Sequence, residues 1–377
     1  MSINIVCSIN SVFLQHFCVM AMSVVSNTNH TIHFHIINND LTNEDKQLVN
    51  KVFKKYNYVS VSFYTIEDKL LEDIKIQAEH LTIQALYRLL IPEILPHSIN
   101  KVIYLDSDLL VNSNIANLYD IDVEDYYIAA VNEIFEPSTI LLKLNSSLDY
   151  FNSGVMIINL KKWREDAFLQ KCLVFAKNNQ DKLLLADQDI LNGVLKGEWK
   201  RIPLEWNLVK GIWIDYQEYC KRYSKVYIDT IIEKPNIIHF TTPSKPWHWL
   251  CDHPYKEKYF YYLNITGLSY VKYPELSYLN SKNNIYIFGS GKAGQETLKI
   301  LEKQNTKIKG FYDNNVDLWG ISVNGIEVYD PKKCKSGPND FIIIASMYYK
   351  DISKQLKNYG LKEYKNFCRI EYLHKLQ

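Results

Sequence analysis

From its first residues the chain alternates short apolar runs with stretches of helical periodicity. Ile3 to Cys7 reads as a buried strand, and after a few polar residues a helical pattern runs from Phe13 to Val25. His33 to Ile37 is a second strand, Leu41 to Tyr56 a helix, and Val59 to Tyr64 alternates as a third strand. Ile83 to Leu90 reads as a helix stopped near Pro92. Lys101 to Leu105 is an apolar strand that ends abruptly in Asp106-Ser107-Asp108. Strands that alternate with helices predict a largely parallel sheet covered on both faces. Such sheets take ligands beyond the carboxyl ends of their strands.

After Pro246 the periodicity breaks down in a Tyr- and Lys-rich stretch, Trp247 to Tyr278. It reads as the end of a first domain and a connector, its aromatics either packing between domains or forming a surface for membrane contact. The pattern restarts with a strand at Ile285 to Phe288, the turn Gly289-Ser290-Gly291-Lys292-Ala293-Gly294, and a helix to about Lys303. Strands at Ile308 to Tyr312 and Phe341 to Ala345 and a helix near Asp351 to Tyr359 follow. The predicted organisation is a first domain over 1–265, a linker over 266–282 and a smaller α/β domain over 283–377.

Charge and composition narrow the function classes. Of 377 residues, Lys and Arg number 43 and Asp and Glu 42, so a net charge of +1 gives no basic face for nucleic acid. A hydrophobic content of 47% with 23% charged residues excludes a disordered chain. The seven cysteines include no CxxC pair, so neither a disulfide framework nor a zinc knuckle is encoded, and a reducing cytoplasm is expected. Met1 to Met22 lacks a basic leading region and is interrupted by Asn4, Ser8 and Asn10, so it reads as the first strand and helix rather than a leader. No run of about 18 apolar residues predicts a membrane span. Three Asn-x-Ser/Thr triplets, at Asn29, Asn145 and Asn264, carry no weight in a chain so rich in Asn.

The chemistry begins at Asp106 and Asp108. If the strand continues through Ser107, both carboxylates project to one side of the sheet edge. Two close carboxylates repel unless a cation neutralises them, so the pair either faces bulk water in a turn or holds a divalent metal. His239 closes another strand-like run, Asn236 to Phe240. An Asp, Asp, His set leaves positions for phosphate oxygens and suits Mn²⁺ better than Ca²⁺, with Mg²⁺ as the alternative.

Seven segments, in order over about residues 3–250, resemble the retaining glycosyltransferases of family 8, which include bacterial lipooligosaccharide galactosyltransferases and glycogenin. They are Ile5-Val6 with its helix, Ala85 to Leu89, Val102 to Asp108, Tyr150 to Val155, Asn159 to Arg164, Asp187 to Gly193, and His239 through Lys245-Pro246-Trp247-His248. The resemblance implies a GT-A fold, a nucleotide-sugar-binding α/β sheet, and a UDP-sugar donor. By it, Asp106, Asp108 and His239 ligate Mn²⁺ at the diphosphate, where transition-state charge grows, with Ser107 beside them and Lys245 on the phosphates. Arg88, Asn152, Ser153, Asp187 and Gln188 hold the donor sugar, with Gln188 beneath its anomeric carbon. Because glutamine is a weak nucleophile, same-face displacement is the preferred route to retention, and a covalent intermediate is the alternative. Glu133 lies where relatives place an acidic acceptor contact. The implied acceptor is a glycan or glycolipid such as lipooligosaccharide or capsule, assembled by a cytoplasmic enzyme, peripheral at the inner face of the membrane.

Two departures stand out. The first strand usually ends in an Ala-Asp-Asp-like turn with a Tyr that cradles uracil; here it runs Cys7-Ser8-Ile9-Asn10-Ser11-Val12-Phe13, leaving Ser8, Asn10 and Phe13 to meet the base. Thr242 stands where the family typically has Gly. In the second domain, Gly289, Gly291, Gly294 and Asp313 meet the context of a dinucleotide fingerprint and resemble the Rossmann-like domains appended to bacterial sugar-modifying enzymes. The glycines serve either a tight turn alone or nucleotide binding. Nucleotidyltransfer, and a non-catalytic sugar-nucleotide-binding protein, are the rival readings.

Overall fold

The computed structural model describes residues 2–67, 69, 71–72, 74, 83–334 and 337–376. They form two compact units, Met1–Lys245 with His253–Leu268, and Pro246–Asp252 with Ser269–Gln377.

The first unit is built on strands β1 (Ile3–Ser8), β2 (Ile32–Asn38), β3 (Val59–Thr65), β4 (Lys101–Leu105), β5 (Leu109–Val111), β6 (Ile128–Asn132), β7 (Phe151–Asn159), β8 (Lys200–Arg201), β9 (Leu208–Val209) and β10 (Ile237–His239). Its main sheet has the order β3-β2-β1-β4-β7-β6-β8. The strands β3, β2, β1 and β4 are parallel, as the alternation predicts. Past β4 the sheet is mixed, because β7 runs antiparallel to both β4 and β6. A second, three-stranded sheet, β5-β10-β9, stands beyond the end of β4.

The helices follow their sequence signals with shifted ends. Leu14–Asn27 carries no charged residue in its first or last turn and is buried along most of its length, as expected of a helix covered on several sides. Asn43–Phe53 starts at a capping box in which Thr42 and Asp45 satisfy each other's backbone N–H. Ile83–Leu90 is 3₁₀ rather than α, and Pro92 does not stop it; the proline sits in the first turn of a short α-helix, Ile91–Ile94, where its missing N–H costs nothing.

The aromatic stretch after Pro246 resolves mostly into packing. Helix Lys256–Thr266 buries Tyr259, Phe260, Tyr262 and Leu263. Tyr259 Oη lies 2.6 Å from His16 Nδ1, and Asn27 Nδ2 donates to Tyr262 Oη at 2.8 Å, fastening this helix to Leu14–Asn27. Burial holds the His16 imidazole neutral, its pKa lowered to about 3. Of the two readings of this stretch, packing accounts for these four side chains, while Tyr261 on the same helix is exposed. Among the described residues no helix is long and apolar enough to cross a membrane, and all seven cysteines are free thiols.

The second unit carries β11 (Asn284–Phe288), β12 (Ile308–Tyr312), β13 (Ser322–Val323), β14 (Ile326–Tyr329), β15 (Asp340–Ile344) and β16 (Phe367–Arg369), in the order β13-β14-β12-β11-β15-β16. From β14 to β16 the strands are parallel. The expected linker over 266–282 is not a free connector. Helix Pro274–Asn280 lies in it and buries Leu276 and Leu279 in this unit's core, while Glu275 accepts the Trp249 backbone N–H at 2.6 Å. Residues 246–252 are thus part of the second unit although they directly follow Lys245.

Candidate active site

The main sheet's β4 ends at Leu105 because the next three residues turn away, and the chain re-enters strand structure at Leu109 in the other sheet. Asp106 and Asp108 therefore converge through a turn and not, as expected, through strand alternation. Strand β5 pairs antiparallel with β10, placing His239 opposite Leu109, and the Phe240 N–H donates to the Asp108 carbonyl at 3.0 Å. This register brings together residues 131 positions apart. His239 Nε2 lies 3.2 Å from Asp108 Oδ1 and 3.7 Å from Asp106 Oδ2. One ligand atom from each of Asp106, Asp108 and His239 falls within 4.8 Å of the others.

A bulge in β7 makes room for this cluster. Beside β6 the pairing jumps from Ala130–Met156 to Val131–Asn152, so Ser153 to Val155 are extra on that side. Bulges of this kind re-aim side chains beside active sites. The Gly154 carbonyl accepts the Asp106 N–H at 2.9 Å. A Cβ on Gly154 would lie 2.2 Å from His239 Cε1 and 2.6 Å from Asp106 Oδ2, so only glycine lets the ligand side chains approach this strand. The oxygen, oxygen and imidazole set, and the space kept for it, fit a divalent cation. Lys245 Nζ donates to Asp108 Oδ2 at 2.6 Å and to the Phe240 carbonyl at 2.5 Å. Burial alone would raise the Asp108 carboxyl's pKa, but Lys245 and His239 outweigh it and hold the group well below the usual carboxylate range. Thr242 turns its hydroxyl into its own loop, donating to the Ser244 carbonyl at 3.3 Å.

Beneath the acidic pair lies a buried charge network centred on Arg88. Its Nη2 donates to Asp106 Oδ1 at 2.8 Å, its Nη1 to the Ser153 carbonyl at 2.7 Å and hydroxyl at 2.9 Å, and its Nε stands 3.1 Å from Asp187 Oδ2. The guanidinium also lies over the Tyr104 ring, 4.3 Å from its centre. Asp187 is buried and accepts the Ser153 hydroxyl at 2.8 Å. Burial pushes its pKa up from 3.8 to about 6, against the pull of Arg88.

Asp187 and Gln188 open the helix Asp187–Leu195 after Ala186, whose φ of 46° and ψ of −112° are a conformation that side-chain-bearing residues avoid. Gln188 is held at both ends. Its Oε1 accepts the Ser153 N–H at 3.0 Å, and its Nε2 donates to Glu133 Oε2 at 2.9 Å and to Tyr150 Oη at 3.1 Å. Tyr150 in turn donates to Asp189 at 2.6 Å. Glu133 Oε2 also accepts Asn152 Nδ2 at 3.0 Å, so the expected acceptor contact is joined directly to residues expected to hold the donor sugar. Asn192 grips β7 through the Phe151 N–H and carbonyl, both at 2.9 Å.

At the end of β1, Ser8 is half-buried, and Asn10 Oδ1 caps the following turn by accepting the Phe13 N–H at 3.1 Å. Sequence reasoning missed Tyr150, Asp189, Asn192 and Asn207 as members of the site, although Tyr150, Asp189 and Asn192 lie inside segments it had singled out.

In the second unit, local structure accounts for most of the glycine-rich turn. Gly289 has a φ of +104°, and a Cβ on Gly294 would lie 1.8 Å from the Gly289 carbonyl oxygen. Around Gly291 there is open space. Asp313 Oδ2 accepts both the N–H and the hydroxyl of Ser290, at 2.8 and 2.7 Å, and so ties the end of β12 to the turn.

Comparisons with known proteins agree with this geometry. The family model "Glycosyl transferase family 8" matches residues 4–251, and "C2185-like, N-terminal" matches 281–367. General stress protein A of Bacillus subtilis is 27% identical over 271 residues, 70% of this chain and 94% of that one. A lipopolysaccharide 1,2-glucosyltransferase of Escherichia coli is 28% identical over 235 residues, 61% of this chain and 68% of the relative. The crystal structure of the galactosyltransferase LgtC with donor and acceptor sugar analogs superimposes with a TM-score of 0.63 at 24% identity, covering 71% of this chain and 97% of LgtC, so the first unit has the GT-A fold. The nucleotidyltransferase and non-catalytic readings give way to hexosyl transfer. With a match over residues 4–251 that takes in every candidate site residue of the first unit, the chain belongs to glycosyltransferase family 8 and is a hexosyltransferase.

Proposed function

We propose that the enzyme moves glucose or galactose, with retention of anomeric configuration, from a UDP-sugar to a surface glycan such as lipooligosaccharide or capsule, in the cytoplasm at the inner face of the membrane. The observation that carries this reading is the convergence of Asp106, Asp108 and His239 directly above the Arg88, Asp187 and Gln188 network. These first three residues would hold Mn²⁺, or Mg²⁺, which when bound offsets charge on the departing diphosphate. Lys245 adds a positive contact to the phosphates. Uracil is met by the amide Nδ2 of Asn10, whose oxygen is committed to its cap, and by the Phe13 ring, beside Ser8.

Asp187, Arg88, Asn152 and Ser153 orient the sugar. Gln188 lies beneath the anomeric carbon as a positioned dipole, and both ends of its amide are engaged, which disfavours attack by its oxygen. The anomeric C–O bond to phosphate breaks while the acceptor hydroxyl oxygen bonds to the same face. The hydroxyl proton passes to the leaving phosphate oxygen. Glu133 Oε1 is the oxygen offered to an acceptor hydroxyl, since Oε2 is held by two amides.

Proton NMR of UDP-glucose and UDP-galactose incubated with enzyme and Mn²⁺ tests this. With water as a slow surrogate acceptor, the first free hexose is expected as the α-anomer, formed only with metal. A β-anomer appearing first, or equal turnover after metal removal, would overturn the reading.

A further inference from the structure

We infer that Asn207 is a positioning residue that fixes the tautomer of His239 and thereby aims its Nε2 lone pair between the two aspartates. The inference rests on the reading of His239 as a metal ligand.

A backbone N–H, whose role as donor is not open to choice, fixes the first link. Gly154 N–H points at the Asn152 side chain at 3.0 Å, so the atom it meets is the amide oxygen. That same oxygen lies 2.9 Å from the Asn207 side chain, which must present its NH₂ there and its oxygen on the other side. The Asn207 oxygen lies 2.9 Å from His239 Nδ1 and therefore takes a proton from it. Nδ1 thus carries a proton, and Nε2 is the nitrogen turned toward Asp108 and Asp106 and left to a cation between them. Asn207 is fully buried and Asn152 and His239 nearly so, which shields the relay from competing water.

Strand pairing supplies the framework. Asn207 immediately precedes β9, and β9 pairs parallel with β10 through Leu208–Ile238 and Val209–His239. The bulge in β7 delivers both Asn152 and the Gly154 N–H to the same point. A histidine whose second nitrogen is held in this way is oriented and made more basic as a ligand, and loss of such a partner typically costs 10–100-fold in metal affinity.

The test is a long-range proton–nitrogen correlation spectrum of protein labelled with ¹⁵N-histidine, without metal, the His239 signal being the one absent from His239→Gln. The expected spectrum has Nδ1 protonated, whether or not Nε2 is also protonated against the carboxylates. In Asn207→Leu, which keeps volume and removes the acceptor, a mixed or Nε2–H tautomer is expected together with a 10–100-fold loss of Mn²⁺ affinity by calorimetry. An Nε2–H tautomer in the unsubstituted protein, or unchanged Mn²⁺ affinity in Asn207→Leu, would overturn the assignment. If the leucine variant fails to fold, the spectrum of the unsubstituted protein decides alone. Absence of any Mn²⁺ binding by the unsubstituted protein would overturn the metal reading, while the tautomer spectrum still decides the role of Asn207.

Discussion

Gly154→Ala, a change of one methyl group, is expected to abolish metal-dependent transfer while leaving the first unit folded. The added carbon would stand 2.2 Å from His239 Cε1 and 2.6 Å from Asp106 Oδ2, far inside contact distance, so both ligands must withdraw from the strand. Both neighbours are side chains, not backbone, and the Asp106 carboxyl is partly exposed, so the strain is relieved by moving these side chains rather than by unfolding. The expected loss is on the order of 10²–10³ or more in kcat, that of removing one preorganised transition-state charge contact or worse. Calorimetry with Mn²⁺ and thermal unfolding of the same variant check it. Mn²⁺ affinity near that of the unsubstituted protein would contradict the placement of the metal ligands.

The largest stability effect is expected at Arg88, whose side chain is 5% exposed and lies between Asp106 and Asp187. Arg88→Met removes the cation and leaves a buried carboxylate uncompensated, a change that costs about 3–5 kcal/mol. Lysine should not restore the loss, because one ammonium cannot reach Asp106, Asp187 and Ser153 with the geometry of a guanidinium. The loss has a definite pH dependence. Asp187 already titrates near 6 in the folded protein against 3.8 ordinarily, and Arg88 is the group pulling it down. Without Arg88 it rises further. A carboxyl whose pKa is raised by folding binds its proton more tightly in the folded state, so its contribution to stability falls as pH climbs from about 3.8 through the folded value. Denaturant unfolding of Arg88→Met should therefore show a smaller deficit at pH 5 than at pH 8. A deficit independent of pH would contradict this assignment.

Much of the first unit was legible in the sequence because its strands are local: β1, β2 and β4 announce themselves as apolar runs and β3 as an alternating one, and their parallel direction follows from the intervening helices. Strand β7 was not legible as antiparallel, since nothing in Phe151–Asn159 distinguishes the two directions. The acidic pair was readable from its place at the end of β4, but the reason given for its convergence was incorrect; a turn does what strand alternation was expected to do. His239 came from its company in the family pattern, and its proximity to Asp108 is a product of the β5–β10 register. Asn207 left no trace, because Trp206-Asn207-Leu208-Val209 has no motif, and its meaning arises only when β9 and β10 align. In the second unit the fingerprint-like spacing puts Asp313 against Ser290 of the glycine-rich turn, a contact that spacing cannot reveal.

The central claim is that Asp106, Asp108 and His239 form a divalent-cation site that works jointly with a uridine nucleotide. Thermal unfolding with UDP alone, Mn²⁺ alone and both together tests it most directly. A ligand at about 100 times its Kd stabilises by about 2.7 kcal/mol, a Tm shift of about 5 °C for a unit of this size. The predicted result is a shift of the first unit's transition that requires both ligands and disappears in Asp108→Asn. A UDP shift of equal size without metal, or one retained by Asp108→Asn, would contradict the account.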